Sequence, residues 1–332
     1  IIIISRGGSS FPLLLSGDIV KMSATEAAAN EICASCGIAG GDDTKLSNCT
    51  ACYLVKYCGV ECQRKHRPQH KHACKKRAAE LKDEILFKQP ESAHLGDCPI
   101  CMLPIPVPTS QETVKSSIYQ CCSKIICNGC AHANELREDE ARLPRKCPFC
   151  RTLLPKMGEE EYWNRNQKKR VEANDPISLH DEGMRRFLSG DNATVIEYLE
   201  KAAGYGHIES HYHLSSMYEE GRGVERNTKK LTYHLEQAAI GGHPIARYNL
   251  GMKDWRNGNR DKAAKHWIIA ANLGLDVSIE MLKKCYQAGV VGNEDFAVAL
   301  RAYQAAVDAT KSPQRDEAEA FEKKYSGGRL RA

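Results

Sequence analysis

The sequence predicts a multidomain protein in which two small metal-stabilised modules precede an all-α helical repeat solenoid. Its 332 residues exceed the usual size of a single domain. Fifteen of its sixteen cysteines lie between Cys33 and Cys150, and most of them form pairs with the spacing of metal ligands. Beyond the boundary signal Asn174-Asp175-Pro176, a motif built on paired alanines recurs after 36 and then 32 residues, an interval typical of helical repeats.

The composition indicates a protein that works in a reducing compartment. Cysteines this dense, in a chain that opens without the basic segment of a secretion signal, favour metal binding over disulfides. The apolar runs near the start are shorter than the roughly 20 residues that a bilayer span needs. We therefore expect a cytoplasmic or nuclear protein without a membrane partner.

The first cysteine-rich stretch, residues 33–74, contains four ligand pairs. Two pairs have the CxxC spacing, one is CxxxC, and the last is a histidine and a cysteine separated by three residues. A CxxC turn lets two thiolates face one metal, and four soft donors suit a tetrahedral zinc ion. Eight candidate ligands are sufficient for two zinc ions: Cys33, Cys36, Cys49, Cys52, Cys58, Cys62, His70 and Cys74.

This stretch resembles a MYND-type zinc finger, and we call it the first finger. Tyr57, Gln63 and Lys71, which flank ligands, also match the family pattern. Family members commonly line a groove for proline-rich peptides with a tryptophan three residues before the ligand histidine, where this chain has Arg67. The resemblance implies two interleaved zinc sites, one of Cys33, Cys36, Cys58 and Cys62 and the other of Cys49, Cys52, His70 and Cys74.

The second cysteine-rich stretch, residues 98–150, which we call the second module, resembles a RING-type finger in an all-cysteine variant. Three CxxC pairs carry the resemblance, with two adjacent cysteines between the first pair and the second. Adjacent side chains diverge along an extended strand, so both can bind one ion only on a bent segment; His132 or His94 is the alternative ligand. The cross-brace of the family implies one zinc on Cys98, Cys101, Cys127 and Cys130 and another on Cys121, Cys122, Cys147 and Cys150.

The RING resemblance also implies an activity. Such fingers hold a ubiquitin-conjugating enzyme and orient its bound ubiquitin, which is catalysis by positioning. The family's contact residues match Ile100, Pro148 and Arg151. The residues alone equally allow Ile100 and Pro148 to cap the metal-binding turns and Arg151 to be a solvated charge. The chain is therefore a possible ubiquitin ligase, with no catalytic residue of its own.

The second half of the chain predicts stacked helix pairs. The alanine motif begins at Val195, Leu231 and Ala263, and its apolar positions recur at steps of four, three, one and three residues. These steps place one apolar face on a helix that ends at a glycine. The half resembles Sel-one-like tetratricopeptide repeats, and the resemblance implies a protein-binding surface. His207 and His243 are predicted to be structural turn residues.

The charge balance argues against nucleic acid as the main partner. The formal net charge is +5, but four zinc ions bound to fifteen thiolates and one imidazole would bring it to about −2. Long-range attraction to phosphates would then be weak. Basic residues between Arg64 and Arg77 are interpreted as a solvated face.

Together these observations predict a zinc-binding protein-interaction adaptor with four zinc ions. The leading hypothesis is a RING-type ubiquitin ligase whose first finger and repeats bind protein targets. The alternative is a non-catalytic zinc-finger scaffold or a transcription-related adaptor without ubiquitin transfer. The predicted segments are a disordered stretch at 1–30, the MYND finger at 31–75, a helical linker at 76–96, the RING finger at 97–155, a linker at 156–176, the repeats at 177–312 and a tail at 313–332.

Overall fold

The computed structural model describes residues 32–107, 115–155 and 160–326, so the predicted disordered stretch at 1–30 lies outside the described residues. The chain divides into two compact units, residues 1–84 and 85–332. The elements of the described residues are β1 Ser47–Asn48, β2 Lys56–Tyr57, α1 Val60–Leu86, β3 Ser116–Tyr119, β4 Lys124–Cys127, α2 Asn128–Glu140, α3 Glu160–Glu172, α4 Pro176–Leu188, α5 Asn192–Gly204, α6 Ile208–Glu220, α7 Thr228–Ile240, α8 Pro244–Arg256, α9 Arg260–Asn272, α10 Asp276–Gln287, α11 Asn293–Ala309 and α12 Pro313–Ser326.

The first unit is a small hairpin followed by helix α1. Strands β1 and β2 pair antiparallel, with Ser47 opposite Tyr57. The core of the unit consists of Tyr57 and three buried cysteines. So small an apolar core supplies little stability by itself, which is why domains of this size depend on metal.

The second module opens the second unit. Strands β3 and β4 form an antiparallel hairpin with Tyr119 opposite Lys124, and α2 follows β4 directly. The module has its own core, in which Ile105, Tyr119, Ile126 and Ala131 pack among cysteines. The apolar side chains thus form one core with cysteines of both groups of candidate ligands.

The predicted helical repeats are confirmed by eight consecutive helices, α4 to α11. The alanine motif forms α5, α7 and α9, each the second helix of a pair. Its alanines are almost completely buried because a neighbouring helix approaches closely there, as shown by Ala202, Ala238 and Ala270, which are all 0% exposed. The last glycine of each motif, Gly206, Gly242 or Gly274, has a positive φ, which glycine adopts without strain.

The two turn histidines each begin the first helix of the next pair. His207 is the N-cap residue of α6 and His243 that of α8, where its Nδ1 accepts a hydrogen bond from the Ala246 backbone N–H at 3.2 Å. The predicted structural role of both histidines is therefore confirmed. Asp175 is likewise an N-cap residue, since its carboxylate accepts a hydrogen bond from the Ser178 backbone N–H at the start of α4.

Two segments expected as linker or tail contain helices. Residues 156–176 include α3, and residues 313–332 include α12. Helix α12 packs against α2 of the second module, so this part of the chain is docked rather than free. None of the described helices is long and apolar enough to cross a membrane.

Candidate metal centres

Among the described residues, five groups of side chains could hold a metal ion. One of them joins two histidines to a glutamate, and the other four consist of four cysteine or histidine residues each. In each group the candidate donor atoms lie within 4.8 Å of one another. The first and second centres belong to the first finger, and the third and fourth to the second module. The centres are, in order, Cys33, Cys36, Cys58 and Cys62; Cys49, Cys52, His70 and Cys74; Cys98, Cys101, Cys127 and Cys130; and Cys121, Cys122, Cys147 and Cys150.

The sulfur positions fit a tetrahedral ion. Zinc–sulfur bonds of about 2.3 Å give a tetrahedron whose sulfur–sulfur edges are about 3.8 Å. The Sγ atoms of Cys36 and Cys58 are 3.6 Å apart, and the corresponding distance is 3.7 Å for Cys101 and Cys127. Disulfide bonds would require about 2.05 Å. The donor sets therefore fit zinc, as the sequence predicts.

Helix α1 supplies ligands to both centres of the first finger. Cys62, His70 and Cys74 fall at steps of eight and four residues, so they lie on the same side of the helix. Cys62 Sγ lies 3.5 Å from Cys58 Sγ, whereas His70 Nε2 lies 3.2 Å from Cys52 Sγ. One helix thus joins the two centres.

His66 is a supporting residue that sequence reasoning missed. The informative spacing was present, because His66 lies midway between Cys62 and His70 on the same side of α1. Its ring stacks on His70 at a centroid distance of 5.6 Å, and its Nδ1 is 3.0 Å from the Tyr57 hydroxyl. His66 is half-buried, and its packing beside a ligand histidine orients that ligand.

The hairpin turn between β3 and β4 brings the two adjacent cysteines to one centre. The Cys122 and Ser123 backbone N–H groups both donate to the Tyr119 carbonyl, at 3.1 and 2.8 Å. Ser123 has a φ of 51°, so the chain bends sharply there. Cys121 Sγ then lies 3.4 Å from Cys150 Sγ, and Cys122 Sγ lies 3.8 Å from that of Cys147.

Neither histidine considered as a substitute ligand lies in these centres. The His132 ring packs on Phe321 at a centroid distance of 4.6 Å, and His94 faces the helical repeats. His94 Nε2 and His243 Nε2 lie 2.9 and 3.2 Å from the same oxygen of Glu209. Because His243 Nδ1 accepts a backbone hydrogen bond, its proton is on Nε2. This group is therefore a carboxylate that accepts hydrogen bonds, and it joins the segment after α1 to the repeats.

Three centres each contain a thiol that ionises near neutral pH. Burial opposes ionisation in each case, but hydrogen bonds to the sulfur outweigh it. Backbone N–H groups lower the pKa of Cys33 to about 6 and that of Cys98 to about 7. The Thr152 hydroxyl and N–H lower the pKa of Cys150 to about 6. These thiolates are prepared to bind a cation, and their neighbours would lose protons when zinc binds.

The three residues matched to conjugating-enzyme contacts differ in exposure. Ile100 is 41% exposed and Arg151 is also exposed, whereas Pro148 is buried. The Arg151 guanidinium donates to Asn134 Oδ1 on α2 at 3.0 Å. Ile100 and Arg151 are therefore accessible to another protein, whereas Pro148 is not.

Comparison with known proteins identifies one part of the chain. Residues 33–74 match the family model of the MYND finger. The chitin synthase regulator SKT5 of Saccharomyces cerevisiae is 40% identical over 62 residues, which are 19% of this chain and 9% of that protein. This chain thus aligns with only a small fraction of that relative's length.

Two solved structures align with part of the chain. A Sel1 repeat protein from Oxalobacter formigenes is 27% identical, with a TM-score of 0.34, and the alignment covers 36% of this chain and 97% of that one. The protective antigen c5321 of uropathogenic Escherichia coli, which displays an SLR fold, is 23% identical. Its TM-score is 0.36, with coverage of 44% of this chain and 33% of that one.

These observations give a coarse description of the protein. It is a zinc-binding protein with a MYND finger, a second cysteine-rich module and a helical-repeat half. Neither stacked helical repeats nor small zinc fingers require a substrate pocket, and both commonly serve as protein-binding surfaces. The combination indicates protein–protein interaction.

Proposed function

We propose that this protein is a RING-type ubiquitin ligase adaptor, in which the second module positions a charged conjugating enzyme. The first finger and the repeats would select the protein target. The observation that carries the proposal is the alternation of ligand pairs between the third and fourth centres, with α2 between them. Alternation of this kind is the ligand order of a RING cross-brace.

The exposed residues of the second module support the same proposal. Ile100 presents an apolar side chain beside a ligand turn, and Phe149 is 44% exposed at the other turn. Arg151 adds a positive charge next to the last ligand. A surface with apolar side chains beside a fixed cation suits a protein partner, and positioning two reactants needs no nucleophile on this chain.

The test is ubiquitin transfer by the zinc-loaded full chain with a broad panel of conjugating enzymes. We expect self-modification by the wild type and a loss of about tenfold or more for Ile100→Ala and for Arg151→Ala. Leu143→Ala, at a residue 53% exposed on the same module, and Arg301→Ala on α11 are matched controls that should retain activity. Transfer that is absent with every conjugating enzyme, or unchanged in both test variants, would refute the proposal.

A non-catalytic scaffold is the second candidate. It is favoured by the packing of the second module against the repeats, since Ser123 of its hairpin turn donates to the Asp175 carboxylate at 2.8 Å. In this case the module would serve to hold the repeats in place. The scaffold predicts zinc-dependent stability and stable protein complexes without ubiquitin transfer, which the same assay would distinguish.

A further inference from the structure

Helix α12 docks on the second module next to the third centre. Its Phe321 ring packs on His132, and the Asn128 side-chain amide donates to Glu322 at 2.8 Å. Gly129, between two ligands of the third centre, permits this approach. A Cβ atom at Gly129 would lie 2.8 Å from both the backbone N and Cγ of Arg315, so the first turn of α12 lies directly against the metal-binding turn.

Arg315 directs its guanidinium at the third centre. Nη2 donates to Cys101 Sγ at 3.4 Å and to the Leu103 carbonyl at 3.2 Å. Nη1 donates at 2.7 Å both to the Pro104 carbonyl and to the Thr310 carbonyl. The fork of the guanidinium therefore binds a ligand sulfur and the backbone that follows it at the same time.

The negative charge of the zinc-loaded third centre would make its contact with the Arg315 guanidinium favourable. Four thiolates around one zinc ion carry a net charge of about −2, and Cys98 and Cys127 are almost completely buried. A buried anion is costly unless a cation or hydrogen-bond donors offset it. Arg315 supplies both, through its positive charge and its hydrogen bond to the Cys101 sulfur.

We propose that Arg315 is an outer-shell partner of the third zinc centre and makes docking of α12 depend on zinc there. Without the metal, the turn that carries Cys98 and Cys101 would no longer be held to the turn that carries Cys127 and Cys130. The sulfur and carbonyl oxygens that accept from Arg315 would then lose their fixed positions against α12. Coupling of this kind is reciprocal. Undocking of α12 would therefore weaken zinc retention at the third centre while leaving the fourth centre of the same module unaffected.

The test uses the zinc-loaded full chain with a competing chelator and a thiol-alkylating reagent. Mass spectrometry then reads the labelling of Cys127 for the third centre and of Cys147 for the fourth. In Arg315→Gln we expect about tenfold faster labelling of Cys127, the scale of outer-shell effects on metal sites, with Cys147 unchanged. Arg315→Lys, which keeps the charge but not the fork, should be intermediate, and Arg301→Gln should match the wild type.

Two further results would decide the proposal. In the wild type, hydrogen exchange of residues 313–326 should rise in step with labelling of Cys127. Equal acceleration of Cys127 and Cys147 in Arg315→Gln would mean general loosening of the module and would overturn the proposal. Labelling at the wild-type rate, or unchanged protection of α12 after the third centre has been labelled, would overturn it as well.

Discussion

Substitution of Gly251 by alanine should destabilise the repeats, because a tryptophan from the next helix lies directly against this glycine. A Cβ atom on Gly251 would lie 2.5 Å from Trp267 Nε1 and 2.8 Å from its Cε2. Trp267 is 0% exposed, and its Nε1 donates to the Tyr248 carbonyl at 3.3 Å. The indole is therefore held in position by burial and by this hydrogen bond, and an added methyl group would push against it.

The expected magnitude follows from two opposing terms. Alanine is favoured over glycine inside a helix by about 1 kcal/mol, whereas overpacking of a core costs about 1–3 kcal/mol. We expect Gly251→Ala to lower the free energy of unfolding by up to about 2 kcal/mol. Gly204, at the end of α5, has nothing within 4 Å of the position that a methyl group would take, so Gly204→Ala should be neutral or stabilising by up to about 1 kcal/mol.

Urea unfolding of the zinc-loaded full chain, followed by circular dichroism and tryptophan fluorescence, would measure both variants. Gly183→Ala adds an intermediate case, because its methyl group would lie 3.3 Å from a Leu199 carbon atom. The order of stability should be Gly204→Ala, then Gly183→Ala, then Gly251→Ala. If Gly251→Ala were as stable as Gly204→Ala, the close packing of α8 on α9 that this reasoning assumes would be refuted.

Three other predictions concern metal, pH and a buried cation. Native mass spectrometry should count four zinc ions in the wild type and three in Cys122→Ser. The control Cys285→Ser, at a buried cysteine outside the centres, should keep four. A count of four in Cys122→Ser would contradict the assignment of Cys122 to the fourth centre. Burial lowers the pKa of His234 to about 3, so the unfolded state takes up the proton first and stability falls as pH drops below about 6.5. Between pH 7.5 and 5.5 this histidine should lower the free energy of unfolding by about 1.4 kcal/mol. Urea unfolding of His234→Gln should therefore show a smaller decrease in the free energy of unfolding over that range. An unchanged decrease would contradict the prediction that His234 stays neutral in the folded state. Arg247 is 0% exposed and donates to the backbone carbonyls of Leu86, at the end of α1, and of Lys88. Arg247→Met should therefore lower the free energy of unfolding by about 1–3 kcal/mol, whereas Arg256→Met on the exposed side of the same helix should have little effect on the urea midpoint.

The features that could be predicted from the sequence are those encoded by local spacing. A CxxC turn brings two sulfurs together independently of contacts with the rest of the chain. The alanine motif identified α5, α7 and α9 because burial of one helix face repeats every three or four residues. The helix boundary at Asp175 was predictable for the same reason, since an N-cap and a following proline act within one turn.

The features that could not be predicted depend on contacts between distant parts of the chain. Glu209, His94 and His243 meet only after the segment following α1 has docked on the repeats, and no spacing rule links residues so far apart. Arg315 is another example, because its partner Cys101 lies 214 residues earlier. The composition of residues 313–332 is mixed and charged, which is equally compatible with a solvated tail.

These long-range contacts attach the second module to both ends of the repeat array. At one end Ser123, next to Cys122 of the fourth centre, donates to Asp175, the N-cap residue of the first repeat helix. At the other end Arg315, at the start of the last described helix, donates to Cys101 of the third centre. A zinc ion in each centre of the module would therefore stabilise the position of one end of the array. Loss of either metal should loosen a different end, so the two centres are distinguishable by where hydrogen exchange increases.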